Sequence, residues 1–366
     1  MSIFLVAYCL FETLPSQMSF RLKLGYKSMI KTCMDKTLVI AEIGVNHNGD
    51  IGLAKEMIVA AKEAGVDVVK FQTYKSEEVM TDQTPLAGYM KDGDKNFLEL
   101  ARRLELSFEE TLTLQAYAND LGVEFLSSPF DVPSTEFLGT IGMRRMKIPS
   151  GETVNPFLLR AAAATKLPLI VSTGMATLEE VRRSLAFLEL HHSGPITVLH
   201  CTTQYPAEPQ LSNLRAMATM AREFGLPVGY SDHTPGIEIS LAAVALGATV
   251  IEKHFTLNKK LPGPDQAASL EPHELRALVD GIRNINSALG HGEKRPWPVE
   301  LEVAKVARKS IVAVHAMSAG HVIADTDLTA KRPGTGIPAM DVDQVIGRKL
   351  ARDIAENALI DWADLA

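Results

Sequence analysis

From Thr37 onward, short apolar runs alternate with longer stretches in which apolar residues recur every three or four positions. Runs of the first kind predict buried β-strands, and the second kind predict amphipathic helices. The strand candidates are 38–43 (LVIAEI), 66–71 (VDVVKF), 123–128 (VEFLSS), 144–149 (RRMKIP), 168–173 (PLIVST), 196–201 (ITVLHC), 227–231 (PVGYS) and 249–255 (TVIEKHF), eight in all. Between them, residues 53–64 place Leu53, Met57, Ile58 and Ala61 on one helical face, and Gly65 follows as a C-cap. Ser107 with Glu110 and Thr177 with Glu180 have capping-box spacing, in which the hydroxyl and the later carboxylate satisfy orphan N–H groups reciprocally. Residues 239–248 and 271–290 predict the last two helices of the series.

Strand–helix alternation implies parallel strands, because each crossover returns the chain to the same end of the sheet. Eight such units close most economically as a (β/α)8 TIM barrel, so the expected fold is α/β with the barrel over residues 37–292. An open doubly wound sheet is the alternative, but IGVNHNGDIG (43–52) lacks the GxGxxG first turn such sheets usually carry. The connection 73–106 is long and polar, as expected of a lid over a site. Around Trp297 two prolines break the pattern: residues 293–306 read as a linker, and 307–366, with short strands and Gly/Pro turns, as a small separate β-rich domain.

Composition narrows the class. The 366 residues are 46% hydrophobic, ample for a large core, and the net charge of −7 speaks against nucleic acid or any general polyanion as partner. Mean hydropathy is +0.05. Cys9, Cys33 and Cys201 form no CxxC pair, which fits a reducing, cytoplasmic setting and argues against structural zinc. The apolar run 3–11 (IFLVAYCLF) is too short for a membrane span and lacks the basic flank of a signal peptide. Residues 1–36 therefore read as a disordered extension or as sequence upstream of the true start, and the chain as soluble without a membrane partner.

Candidate chemistry lies where the strands end, since a parallel barrel builds its site from the C-terminal strand ends and the loops that follow. Those ends carry Glu42, Asn46 and His47; Lys70 and Gln72; Ser127 and Ser128; Lys147 and Ser150; and Ser172 and Thr173. His200, Thr202 and Thr203 follow, then Ser231, Asp232 and His233, then Glu252, Lys253 and His254. Any one of these is an ordinary strand cap. Together they would be costly to desolvate without a ligand. Lys70 and Lys147 among Ser128, Ser150, Ser172 and Ser231 suit a phosphate. His233 and His254, on adjacent strands, suit one divalent cation that keeps water and substrate in its remaining positions. Period-two alternation puts Val250, Glu252 and His254 on the barrel axis, and Lys253 between strand and helix.

AEIGVNHNGD (41–50), KFQTY (70–74), KIPSGE (147–152), STGMA (172–176), YSDHT (230–234), EKHFTL (252–257) and GPD (263–265) occur in that order. With KRPGTGIP (331–338), they resemble the sialic acid synthases, which condense phosphoenolpyruvate with an N-acetylated amino-hexose and carry a C-terminal antifreeze-like (SAF) domain. The resemblance spans Thr37 to Ala366. It implies that Lys70, Ser128, Lys147, Ser150, Ser172 and Ser231 hold phosphoenolpyruvate and that Glu42 is the essential acidic residue. It implies His233 and His254 as ligands of manganese, with magnesium or cobalt as alternatives, and Gln72, Tyr205 and Asp265 as sugar contacts. It also implies a domain-swapped homodimer in which Arg332 enters the partner's site. Thr203 stands where some members carry Asn against phosphoenolpyruvate. CTT and YPA around Gln204, together with SGETVN, lean towards synthases using 2,4-diacetamido-2,4,6-trideoxymannose over N-acetylmannosamine. Two other readings are weighed: another metal-dependent phosphoenolpyruvate-condensing synthase or aldolase on the same barrel, and a non-catalytic carbohydrate-binding protein. Two lysines with surrounding hydroxyls favour phosphoenolpyruvate over a Schiff base, which needs one desolvated lysine.

Overall fold

A computed structural model describes residues 36–85, 96–192 and 194–366, so the proposed extension lies, save Lys36, outside the described residues. The chain divides into two compact units, Met1–His291 and Gly292–Ala366. In the first, the parallel strands are β1 (Leu38–Gly44), β2 (Val68–Thr73), β3 (Glu124–Pro129), β4 (Met146–Ile148), β5 (Leu169–Ser172), β6 (Ile196–Cys201), β7 (Val228–Asp232) and β8 (Val250–His254). Their order is β3-β2-β1-β8-β7-β6-β5-β4. Because β1 pairs with both β2 and β8, the sheet curls on itself into a near-closed TIM barrel.

The helices that return each strand are α1 (Ile51–Ala64), α2 (Ser76–Val79), α3 (Phe97–Leu104), α4 (Phe108–Asp120), α5 (Val132–Thr140), α6 (Pro156–Ala164), α7 (Leu178–His191), α8 (Arg215–Phe224), α9 (Glu238–Ala245) and α10 (Pro272–Leu289). Local chemistry sets their ends. Asp50 accepts from Gly52 N and Leu53 N at the start of α1, and Gly65 closes it at φ +88°. Both predicted capping boxes form, at α4 and α7. No described helix is long and apolar enough to cross a membrane.

The connection 73–106 differs from its polar reading. Its described parts include α2 and α3, and Leu100, Ala101 and Leu104 on α3 are buried with Val45 and Tyr74 in a small apolar cluster. Phe97, Leu100, Ala101 and Leu104 recur at i, i+3, i+4 and i+7, so an amphipathic helix outweighs the polar average of the segment.

Two cores meet at the strands. The larger lies between strands and helices and includes Val39, Ala41, Met57, Ile58, Val69, Phe71, Ile251 and Leu278. The smaller fills the barrel interior with Ile40, Val68, Leu126, Ile170, Leu199 and Val250, one residue from each of six strands. Adding two to each number gives Glu42, Lys70, Ser128, Ser172, Cys201 and Glu252, the next layer up by strand periodicity. An apolar plug thus supports a polar floor. Gly229 on β7 completes the packing, since a Cβ there would run into Leu199 and Val250.

The second unit holds α11 (Pro298–Ala307), β9 (Ser310–Ala313) and β10 (Leu328–Lys331), the two strands pairing antiparallel. It has its own core, built on Ile311, Ile323, Ile337, Val345 and Ile360. Helix α11 occupies much of the stretch read as a linker, and none of its residues is buried.

Candidate active site

A cavity of about 360 Å³ opens at the C-terminal ends of the barrel strands. Glu42, Lys70, Gln72, Ser128, Lys147, Ser150, Ser172, Thr203, Tyr205, Ser231, His233, His254 and Asp265 all line it. Arg332 belongs to the second unit, where its Nε donates to the Ala307 carbonyl at 3.0 Å.

The floor is an ion network. Lys70 Nζ lies 2.8 Å from Glu42 Oε2 and 3.6 Å from Glu252 Oε2, and it donates to Ser128 Oγ at 3.1 Å. Lys147 Nζ lies 3.4 Å from Glu252 Oε1, which also accepts from Ser231 Oγ at 2.9 Å. Gln72 Nε2 donates to Glu42 Oε1 at 3.2 Å. Glu252 therefore bridges both lysines, a role that strand parity placed nearby but did not reveal.

Burial and pairing divide the two carboxylates. Burial lifts Glu42 to about 7, with Lys70 opposing and Glu252 adding to the rise. Burial also works to raise Glu252, but Lys147, Lys70 and the Ser231 hydroxyl outweigh it and hold it at about 2. Burial lowers Lys147, with Glu252 opposing, whereas on Lys70 the two glutamates outweigh burial and raise it. The floor thus sets two lysines against one carboxylate, Glu252, that they hold ionised near neutral pH, with Glu42 poised between states. That surplus, beside unpartnered buried Ser172 Oγ, suits an anion with several acceptor oxygens.

The two histidines stand beside this floor, their ring centroids 5.4 Å apart. Tyr205, which precedes a cis peptide bond to Pro206, packs 4.2 Å from the His233 ring and 5.5 Å from the His254 ring. His233 Nδ1 lies 2.7 Å from the Thr202 carbonyl, which can only accept, so Nδ1 carries the proton and Nε2 keeps its lone pair. His254 Nδ1 is buried without a hydrogen-bond partner. Burial pushes His233 down to about 4, and burial with the neighbouring His233 pushes His254 well below its ordinary value. Two neutral imidazoles with nitrogens to spare fit a divalent cation. Among the described residues no three His, Cys, Asp or Glu side chains gather to hold a metal, so a cation here would keep water or substrate as ligands. Asp265 lies 3.8 Å from His254 Nδ1, and burial raises it to about 6.

Other strand-end residues serve the scaffold. Asn46 Nδ2 donates to the Phe255 carbonyl and Ser269 Oγ, and His47 Nδ1 accepts from Gly49 N. His200 Nε2 meets the Ser212 carbonyl, Ser127 pairs with Thr73, and Thr173 donates to the Leu199 carbonyl. Lys253 is fully buried, pairing with Asp232 Oδ2 at 2.9 Å, and Asp232 also accepts from Thr234 and Ser240.

The NeuB family profile matches residues 57–294, and the SAF domain profile matches 308–366. The chain is 45% identical over 331 residues to the N,N'-diacetyllegionaminic acid synthase of Legionella pneumophila, covering 88% of this chain and 93% of that protein. It is 44% identical over 333 residues to the enzyme of the same name from Campylobacter jejuni, covering 89% and 99%. Among solved structures, the N-acetylneuraminic acid (sialic acid) synthetase of Leptospira borgpetersenii, in complex with citrate, superposes with a TM-score of 0.68 at 37% identity, covering 74% of this chain and 90% of that one. These likenesses run along nearly the whole described chain, and the chain belongs to the NeuB family, its barrel followed by a SAF domain.

Proposed function

We propose that the chain is a transferase that condenses phosphoenolpyruvate with the open-chain aldehyde of an N-acylated amino-hexose, giving a nonulosonic, sialic-type acid. The observation that carries this reading is the pairing of Lys70 and Lys147 over one bridging carboxylate, among hydroxyls and beside two neutral histidines, in a single cavity. Carbon 3 of phosphoenolpyruvate forms the new bond to carbon 1 of the aldehyde. Water adds at carbon 2, and phosphate leaves by C–O cleavage.

Lys70 and Lys147 neutralise the phosphate and carboxylate, while Ser128, Ser150, Ser172 and Ser231, with Thr203, offer hydroxyls to the phosphate oxygens. Gln72, Tyr205 and Asp265 orient the sugar. Glu42, lifted to about 7 by its burial, moves a proton on the attacking water or the sugar hydroxyl. His233 and His254 would hold a divalent cation, Mn2+ in this reading, which when bound supplies Lewis-acid polarisation of the aldehyde oxygen. Arg332 reaches the sugar from a partner subunit in a domain-swapped homodimer. The reading places the enzyme in the cytoplasm, where phosphoenolpyruvate is available. Of the possible acceptors, 2,4-diacetamido-2,4,6-trideoxymannose is favoured by the likeness to two diacetyllegionaminic acid synthases.

The test is phosphate release from phosphoenolpyruvate, with Mn2+ or with EDTA, against that sugar, N-acetylmannosamine and N-acetylmannosamine 6-phosphate. Release with one sugar that EDTA abolishes is the expected result. Absence of release with all three, from folded protein that also fails to bind phosphoenolpyruvate, would overturn the reading.

A further inference from the structure

One residue of the polar layer above the barrel plug has no part in the chemistry above. Cys201, at the end of β6, lines the cavity with a thiol that the ion network does not use. It is 6% exposed, and its Sγ lies 3.2 Å from Ser150 Oγ, within reach of a sulfur hydrogen bond. Ser150 Oγ also accepts from Gly174 N at 3.0 Å. Three strand ends thus converge on one hydroxyl: Ser150 follows β4, Gly174 follows β5, and Cys201 closes β6.

The cluster is tightly built. A Cβ at position 174 would run into Thr203 Oγ1 and lie 2.8 Å from Ser150 Oγ and 3.1 Å from Cys201 Sγ, so the turn approaches this closely only as glycine. Thr153, fully buried, donates from Oγ1 to the Ser172 carbonyl at 2.5 Å and ties the Ser150 turn to β5 a second time. On its other side Cys201 pairs in register with Ser231, which donates to Glu252. In the same cavity Ser172 Oγ, on a residue 2% exposed, and Thr203 Oγ1 are buried without hydrogen-bond partners. The thiol therefore stands in a row of hydroxyls that keep capacity for a ligand.

A hydroxyl has one proton to give and two lone pairs to fill. At Ser150 the Gly174 N–H takes one lone pair. Sulfur is a weak acceptor and a phosphate oxygen a strong one, so an anion in the cavity draws the Ser150 proton, and the thiol proton turns to the second lone pair. Each donation into Oγ makes its own proton the better donor. We infer that Cys201 is a positioning residue: its thiol fills the second lone pair of Ser150 Oγ and so aims the Ser150 proton at the phosphate of phosphoenolpyruvate. The inference rests on the synthase reading and adds to it a residue that acts through Ser150.

The test is steady-state kinetics of Cys201→Ala and Cys201→Ser, alone and combined with Ser150→Ala, with Mn2+ and the acceptor that wild type uses. Cys201→Ala should raise the KM for phosphoenolpyruvate by about three- to tenfold, the contribution of one hydrogen bond, while kcat and the sugar KM hold. Cys201→Ser keeps a donor and should recover part of that loss. In a Ser150→Ala background there is no hydroxyl to aim, so Cys201→Ala should add nothing to the KM. An unchanged KM for phosphoenolpyruvate in Cys201→Ala, a serine variant no better than alanine, or the same penalty with and without Ser150 would overturn the positioning role and leave the synthase reading standing. A merely structural sulfur would move kcat and both KM values together and lower the urea midpoint, and that result too would overturn it. Phosphate release from wild type with none of the acceptors would remove both readings.

Discussion

At the scale of single residues, the same burial acts oppositely on two carboxylates a few ångströms from one lysine. Glu252 faces both Lys70 and Lys147 and is held at about 2, whereas Glu42 shares only Lys70 and rises to about 7. A carboxyl raised on folding binds its proton more tightly in the native state, so its contribution favours folding less as pH climbs from the ordinary value of 4.5 through 7. Glu42→Gln removes that penalty. Its stability relative to wild type should therefore increase between pH 5 and pH 8 by on the order of 1–3 kcal/mol, measured by urea unfolding at both values. A constant difference would show that Glu42 is not the group that titrates there. For His254→Ala, Mn2+ binding followed by calorimetry should weaken at least about a hundredfold, since second-shell losses alone cost about 10–100-fold. Unchanged binding would exclude this histidine as a ligand.

At the scale of elements, β8 shows how one strand serves two environments. Glu252 and His254 line the cavity, while Lys253 between them is buried against Asp232 and the Thr234 carbonyl. That pair joins the end of β8 to the residue preceding His233, so it steadies both histidine-bearing strand ends. Breaking it by removing one partner leaves a buried charge uncompensated. Lys253→Met should cost about 3–5 kcal/mol in denaturant unfolding, and Lys253→Met with Asp232→Asn markedly less. Equal costs for the single and the double variant would mean that packing of the lysine stem dominates. The alternation of VIEKH reveals which side Lys253 takes, but its partner lies 21 positions earlier and is found only through the β7–β8 register.

At the scale of the whole molecule, the proposed swapped dimer makes a prediction that neither unit makes alone. Arg332→Ala and Lys147→Ala should each be inactive with the full acceptor at ordinary concentrations. If Arg332 acts in the partner's site, co-refolding equal amounts should restore about a quarter of wild-type sites, because random pairing gives half heterodimers with one intact site each. Recovery of none, with mixed dimers verified by differential tagging, would place Arg332 in its own subunit's site, and full activity of Arg332→Ala alone would place it outside the chemistry. Arg332→Ala should also raise the KM for the sugar more than that for phosphoenolpyruvate.

The sequence by itself determined the barrel, because alternation of strand and helix leaves few ways to bury eight parallel strands. It also determined which residues gather at the strand ends, since a period of two assigns each side chain a face once the strand is recognised. It did not determine which of those residues reach the cavity. Strand parity alone turns Ser127 and His200 from the axis, but Asn46, which follows the same strand as Glu42, bonds instead to Phe255 and Ser269, more than 200 positions on, and only the folded barrel brings them together. Glu252 as the bridge between Lys70 and Lys147, the separation of its charge state from that of Glu42, and the packing of α3 against Val45 and Tyr74 are likewise tertiary decisions. Periodicity is a property of one segment, whereas electrostatic coupling and a cavity wall require distances between segments, which only barrel closure sets.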